Sequence, residues 1–361
     1  MIRRRVLWCT FLVAWLVVLT AGFATRAQEQ YVGLLVAPFS GPDPLARKAA
    51  TILHLQTWQT LLVAREVNNR KLSFRRAIVQ WSESAPPTSH AQALALLRGT
   101  ASQMTLWGRA QEFGKGVVVQ AYLSVADPDG AMAPKELLWS MSLDELPAAS
   151  RQISVGLPAT LFEFAPIVLR EDVIPVLNTQ VGIPIYRDRK FTEQIGALGG
   201  DFVAEEQGPN VARVTSDGVR GWVRLPGLST NRSEVTDFSG ALIRIYRRDW
   251  AGAIELLDRV AGTPNTPVSI RIASFQLMSA ASHLLHVQAG TPSRSVEYAE
   301  AAEKLNPYLR ETIKFKCMAL LAGGREPAMT AKLAETARRS EYLFPRNDPW
   351  FAKVKQVLAN R

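Results

Sequence analysis

His283 and His286 stand three residues apart in a segment of helical spacing, a separation that could bring two imidazoles to one metal ion. No carboxylate or cysteine nearby in the sequence completes a ligand set, so a packed or surface histidine is the simpler reading. Cys317 could serve as the nucleophile of a cysteine–histidine pair. It lies within Phe315-Lys-Cys-Met-Ala-Leu-Leu321, an apolar helical run with no histidine at a suitable spacing, which reads as a buried and inert thiol. His54 and His90 are lone residues on helical segments, where core or boundary placement suffices. No Gly-x-Ser-x-Gly elbow, phosphate loop or dinucleotide fingerprint occurs. Asp127-Pro-Asp-Gly130 offers too few oxygens for a calcium loop and reads as a turn, and Asn231-Arg-Ser233 is formally a glycosylation sequon. Neither a cofactor nor a bound metal is expected.

Two other groups could bind rather than react. Arg244, Arg247 and Arg248 cluster on one helical segment, and Arg271 follows on the next. Guanidinium forks suit bidentate recognition of carboxylates; the plainer alternative is an arginine-rich solvated face. Tyr186 and Trp222 lie in short β segments and could line a ligand cleft, or Trp222 could be a core tryptophan. Arg244, Arg248, Arg271, Tyr186 and Trp222 are therefore the candidate partner-binding residues, and the arginines point to an acidic partner.

These residues must be positioned by a chain of 361 residues, enough for two or three domains at about 150 residues each. With 47% hydrophobic and 20% charged residues it is globular, and two cysteines exclude a disulfide framework. Met1-Ile-Arg-Arg-Arg5, the apolar run 6–24 and the small-residue ends Gly22-Phe-Ala24 and Thr25-Arg-Ala27 have the form of a secretory leader over residues 1–27. Retained uncut, that segment would be an amino-terminal anchor, the one membrane contact expected. The expected address is a bacterial periplasm. Export removes Cys9 and four arginines, leaves Cys317 alone and lowers the net charge from +10 to +6. Residues 231–361 carry 19 basic and 13 acidic side chains and hold the whole of that excess. A basic surface there meets anionic envelope polymers and acidic proteins, not nucleic acid.

Tyr31-Val-Gly-Leu-Leu-Val-Ala-Pro-Phe39, closed by Ser40-Gly-Pro-Asp-Pro44, has the pattern of a strand buried on both faces. Helical spacing follows over 45–68, a short strand at 78–81 and a second helix over 89–99. Three strand-like runs come next, at 104–110, 116–125 and 136–143. The order predicts an α/β layer with helices on a mixed sheet over residues 28–145. Leu35-Val-Ala-Pro-Phe39, Met104-Thr-Leu-Trp-Gly-Arg109, the run 114–126 and Leu138-Trp139 resemble the first strand and closing meander of the TolB-like domain family. That resemblance implies a docking or sensing module with no catalytic residues. Residues 146–174, with a proline every few positions among Leu161, Phe162, Phe164 and Ile167, read as a packed connector with room for one short helix.

Over residues 175–230 short alternating segments are separated by glycines, which predicts a small β-barrel. Tyr186-Arg187, Ile195-Gly-Ala-Leu198, Gly200 and Gly221-Trp-Val223 resemble the bacterial Src-homology-3-type domain. Ile183-Pro-Ile-Tyr186 departs from that family's opening strand, because proline removes a backbone donor. Residues 231–361 read as helical. Trp250 and Ala253, then Ser295, Ala299, Ala302 and Pro307, then Leu333, Ala337, Ser340 and Pro345 resemble the second helices of tetratricopeptide repeats, with units starting near 234, 276 and 314. The resemblance implies a helical-repeat solenoid whose first helices line a concave face and present Arg244, Arg248 and Arg271 there.

The expected fold class is multidomain: α/β, then β-barrel, then all-α. The expected function is a non-enzymatic periplasmic scaffold that joins cell-envelope components. Its partner would be an acidic envelope protein or peptide, with peptidoglycan a further ligand class. The rival reading is a cell-wall hydrolase, or a hydrolase activator, targeted by the barrel; a third is a sensory or lipid-associated protein that keeps its amino-terminal anchor.

Overall fold

The computed structural model describes residues 32–42, 46–47, 49–50, 52–54, 57, 77–82, 84–100, 102–113, 116–126, 139–148, 151–169, 184–198, 203–208, 211–224 and 234–361. The expected leader, the Asp127-Pro-Asp-Gly130 turn and the Asn231-Arg-Ser233 sequon lie outside them. Strand β1 (Val32–Val36) is buried along its whole length. It sits between β2 (Ala77–Trp81) and β3 (Met104–Phe113), parallel to both. Parallel neighbours need crossovers, and the crossovers supply the cover. Helical residues between 46 and 57 bury Ala49, Ala50 and Leu53 against one face. Helix α1 (His90–Ala95), capped by Ser89, covers part of the other face, where Thr105 Oγ1 donates to Ala93 O. Strand β3 runs into β4 (Gly116–Val125), antiparallel over their full length.

The third expected strand forms but leaves this sheet. Strand β5 (Trp139–Ser142) pairs with β6 (Gln152–Val155) in a separate two-stranded ribbon. The physical reason is cover. Trp139, Leu143, Leu146, Ile153 and Val155 share one apolar face, and the carboxy-terminal helices bury it. The stretch expected as a connector is strand as well. Beyond β6, β7 (Leu161–Glu163) and β8 (Ile167–Leu169) both pair with β4 at the edge of the first sheet, whose order is β2-β1-β3-β4-β7. Pro166 falls between β7 and β8, an edge position where a missing backbone donor is tolerated.

Strands β9 (Pro184–Tyr186), β10 (Gln194–Ala197), β11 (Val203–Gly208), β12 (Val211–Ser216) and β13 (Val219–Arg224) form an antiparallel sheet in the order β10-β9-β13-β12-β11. Among the described residues this sheet is open, with β10 and β11 as its edges, so the expected closed barrel is corrected to an open sheet. Its inner side chains Ile185, Val214 and Val223 belong to the main core of the protein. A sheet covered by its neighbours does not have to close around its own interior.

Residues 234–361 are mostly helical: α2 (Glu234–Tyr246), α3 (Trp250–Gly262), α4 (Val268–Ala289), α5 (Ser295–Leu305), α6 (Arg310–Ala322), α7 (Pro327–Ser340) and α8 (Pro349–Asn360). Each packs on its predecessor, and α4 also reaches α6. The first helices of successive pairs begin at Glu234, Val268 and Arg310: the first lies at the expected start near 234, and the other two begin before the expected 276 and 314. The offset arises because α4 is long: the chain turns helical directly after Pro267 and continues to the left-handed Gly290. Every residue of α2 is buried. Phe238 packs between Phe162 (4.7 Å) and Phe164 (5.8 Å) of the first sheet, and Glu234 Oε1 accepts from the Ala165 amide at 2.6 Å. The first sheet, the inner face of the second sheet and α2–α4 therefore share one core, while β5–β6 shares a second with α6–α8. Among the described residues no helix is long and apolar enough to cross a membrane.

Candidate functional site

Strand β13 alternates strictly. Gly221 and Val223 face the core, while Arg220, Trp222 and Arg224 face outward, with Arg220 and Arg224 exposed and Trp222 half-buried. Register carries the same outward face across the sheet. Trp222 lies opposite Arg213 on β12 and opposite Tyr186 on β9. The close approach of β9 is possible because residue 221 is glycine: a Cβ there would lie 2.4 Å from Tyr186 O and 2.6 Å from Ile185 Cγ2.

The loop between β9 and β10 folds back over this row. Arg187 and Glu193 close its base with a bidentate pair at 2.7 and 2.8 Å. Hydrogen bonding to Arg187 holds the Glu193 carboxyl below the ordinary carboxylate range. Lys190 N donates to Asp188 Oδ1, and Phe191 adopts a left-handed backbone at φ +57°. That strained turn sets the Phe191 ring edge-on to Tyr186 at 5.3 Å. The Arg224 guanidinium lies over Phe191 at 4.6 Å, Arg189 over Trp222 at 4.1 Å, and Arg213 reaches the same indole at 5.9 Å. Three guanidinium groups are thus held on two aromatic rings, a geometry that fixes their planes.

Of the candidate residues read from the sequence, Tyr186 and Trp222 meet on this face, and Trp222 is half-buried on the outer side rather than a core residue. The arginines of the helical third do not join them. Arg244 is only 4% exposed. Its Nη1 donates to Gly252 O at 2.7 Å and its Nε stands 3.8 Å from Asp249, so it locks the α2–α3 turn instead of facing a partner. The expectation of a docking role for Arg244 is thereby corrected: α2 is packed on all sides and has no solvent face. Arg248 is exposed in that turn at φ +63°. Arg271 is half-buried in the first turn of α4, on a different element. Arg189, Arg213 and Arg224, with Phe191, were missed; the two-residue spacing of Arg220, Trp222 and Arg224 was the available signal.

The groups considered for chemistry occupy structural positions. Cys317 is fully buried, and burial pushes its thiol up to about 12. His283 packs 5.5 Å from Trp139, beside an apolar cleft lined by Trp250, Leu277, Leu284 and Phe315. Burial and, to a smaller extent, the nearby His286 lower its pKa. His286 Nδ1 lies 2.9 Å from Thr291 O. A serine–histidine contact does occur, with His90 Nδ1 2.9 Å from Ser124 Oγ, but Ser124 is 0% exposed and also accepts from Trp107 Nε1. It ties α1 to the sheet and cannot reach a substrate. Among the described residues no group of three or more His, Cys, Asp or Glu is arranged to hold a metal ion. No family model, characterised protein or solved structure matches the chain.

Proposed function

We propose that the chain is a non-enzymatic scaffold of the bacterial periplasm that joins cell-envelope components through protein–protein contacts. The observation that carries this reading is the outward row Arg213–Trp222–Tyr186, held in register across three strands. Arginine, tryptophan and tyrosine are the residue types that concentrate in interfaces and dominate their energetics. The common core through α2 adds to the argument, because it holds this face at a fixed separation from the helices. The leader-like residues 1–27 support export.

The finer readings belong to the same proposal. The order of β1, β3 and β4 supports a TolB-like first layer, Gly221-Trp-Val223 on β13 supports an open relative of the Src-homology-3-type sheet, and the paired helices α2–α7 support tetratricopeptide-like repeats. A photo-crosslinking residue at Val211, which lies opposite Arg224 on the same face, tests the scaffold reading in intact cells. Capture of defined envelope proteins is the expected result; no capture there overturns it. Purified protein incubated with peptidoglycan is expected to release no soluble fragments, and release would replace the scaffold with a hydrolase.

A further inference from the structure

The helical third holds the excess positive charge of the chain, and its fold gathers part of that charge at one end. Glu303, in the last turn of α5, accepts from Arg339 in the last turn of α7 and, at 2.6 Å, from Lys316 of α6. Lys314 of α6 stands 5.9 Å from the ring of Trp350 in the first turn of α8. The ends of α5 and α7 and the starts of α6 and α8 are therefore neighbours. The turns 306–309 and 341–348 that connect them project from the same end. Each displays a tyrosine. Asn306 Oδ1 accepts from Tyr308 N at 3.0 Å, and Tyr308 is left 71% exposed. In the second turn Phe344 packs on Phe351 at 4.3 Å and on Trp350 at 6.2 Å, while Tyr342 stays 68% exposed.

The charges around the two tyrosines do not cancel. Glu303 is engaged as above, Glu335 by Arg338 and Glu341 by Lys355, and Asp348 caps α8. Glu311, half-buried in the first turn of α6, is the exception. Lys304, Arg310 and Arg346 are exposed and enter no ion pair among the described residues. Exposed tyrosines beside unpaired cations on adjacent turns suit a plane better than a protein. An aromatic anchor in a protein interface fills a pocket, and the apolar cleft of this layer belongs to other residues, Trp139, Trp250 and Leu277 among them. At a bilayer, tyrosine rings settle at the headgroup level, and lysine and arginine lay their stems along it while their charges reach the phosphates. Each basic side chain near an anionic leaflet strengthens binding roughly fivefold.

We propose that this end of the helical layer, through Tyr308, Tyr342, Lys304, Arg310 and Arg346, docks on an anionic phospholipid surface. The contact is separate from the outward row of the second sheet and stands on its own observations.

The apolar run 6–24 would hold the full chain on any vesicle, so the readout has to be local. A polarity-sensitive fluorophore is placed on Asn347→Cys, in the second turn, and separately on Gln288→Cys near the far end of α4; both positions are exposed. Cys9→Ser leaves the buried Cys317 as the one native thiol. With phosphatidylglycerol vesicles at low salt, the fluorophore at 347 shifts to the blue and the one at 288 does not. About 0.5 M salt removes at least about half of that shift. Arg310→Gln combined with Arg346→Gln removes a similar share, and so does Tyr308→Ser combined with Tyr342→Ser. Arg294→Gln makes a charge change at the start of α5, about 15 Å away at ~1.5 Å per residue, and leaves the shift unaltered. All of these positions are exposed, where a substitution costs little stability. No shift at 347, an equal shift at 288, indifference to the paired arginine changes, or an equal shift with phosphatidylcholine vesicles or soluble polyglutamate overturns the proposal. Crosslinking at Val211 tests the other face. Capture there without a shift at 347 keeps the scaffold and removes the lipid contact, while a shift without capture does the reverse.

Discussion

Arg361 Nε donates to Glu145 Oε1 at 2.9 Å, joining positions 216 residues apart with side chains only 5% and 6% exposed. The pair fastens the turn between β5 and β6 to the end of α8. Arg325 adds a second bond to the same carboxylate at 3.0 Å, and Asn360 donates to Glu145 O. Further along the ribbon, Trp350 Nε1 and Lys353 Nζ take the carbonyls of Ser154 and Gln152 at 2.6 and 2.7 Å. Both are edge carbonyls of β6, so α8 satisfies backbone groups that would otherwise invite another strand.

The strap should let go in acid. Desolvation alone would raise the Glu145 carboxyl; its backbone hydrogen bond and the Arg361 and Arg325 guanidinium groups outweigh that and hold it below the ordinary range. A carboxylate with a depressed folded value contributes fully above its unfolded value near 4.5 and loses that contribution as pH falls through the folded value. Acid titration followed by tryptophan fluorescence should therefore show loosening only below the usual carboxylate range. Glu145→Gln should cost about 3 kcal/mol at neutral pH, because it strands a buried guanidinium, and should flatten the acid limb. An unchanged acid limb would count against this assignment.

Arg244 should behave as a structural residue. Arg244→Glu places a second negative charge against Asp249 in a buried turn and should cost more than about 4 kcal/mol in urea unfolding. Gly252→Ala tests the same lock from the other side. Its Cβ would come 2.5 Å from Arg244 Nη1 and 2.6 Å from Asp249 Oδ2, so a loss of about 1–2 kcal/mol is expected. An Arg244→Glu protein of native stability would show that the residue faces solvent.

Phe238 should couple the first sheet to the helices. Phe238→Ala empties a site that is 0% exposed between two aromatic rings and should cost about 3–5 kcal/mol. The unaltered protein should melt in a single transition by calorimetry. In the variant, tryptophan fluorescence and far-ultraviolet circular dichroism should separate. Coincident transitions after the substitution would mean that the modules are joined elsewhere.

The Cys317 thiol, 0% exposed and pushed up to about 12, should resist a neutral-pH disulfide reagent in the native protein and react fully in guanidinium chloride. Stoichiometric native labelling at neutral pH would contradict its position in the second core.

Several features were legible in the sequence because they are local. The unbroken apolar run of β1 announces a strand buried on both faces, the β3–β4 pair follows from apolar alternation, and α2–α8 follow from helical spacing. The sequence also singled out Tyr186 and Trp222, since glycine at 221 and alternation on β13 are local signals. Their meeting, and the fold-back of Arg189 and Phe191 onto them, needed the register of three strands. Arg244 was misread for a physical reason: helical periodicity assigns a solvent face to every helix, and α2 has none. The partner of β5 was out of reach because it is β6 and the distant α8, whose apolar faces match it only once the chain has folded. Whether the second sheet closes depended on what covers its inner face. A sequence states which side chains need cover; only the tertiary structure decides what supplies it, because burial is a property of the assembled surface and not of the segment.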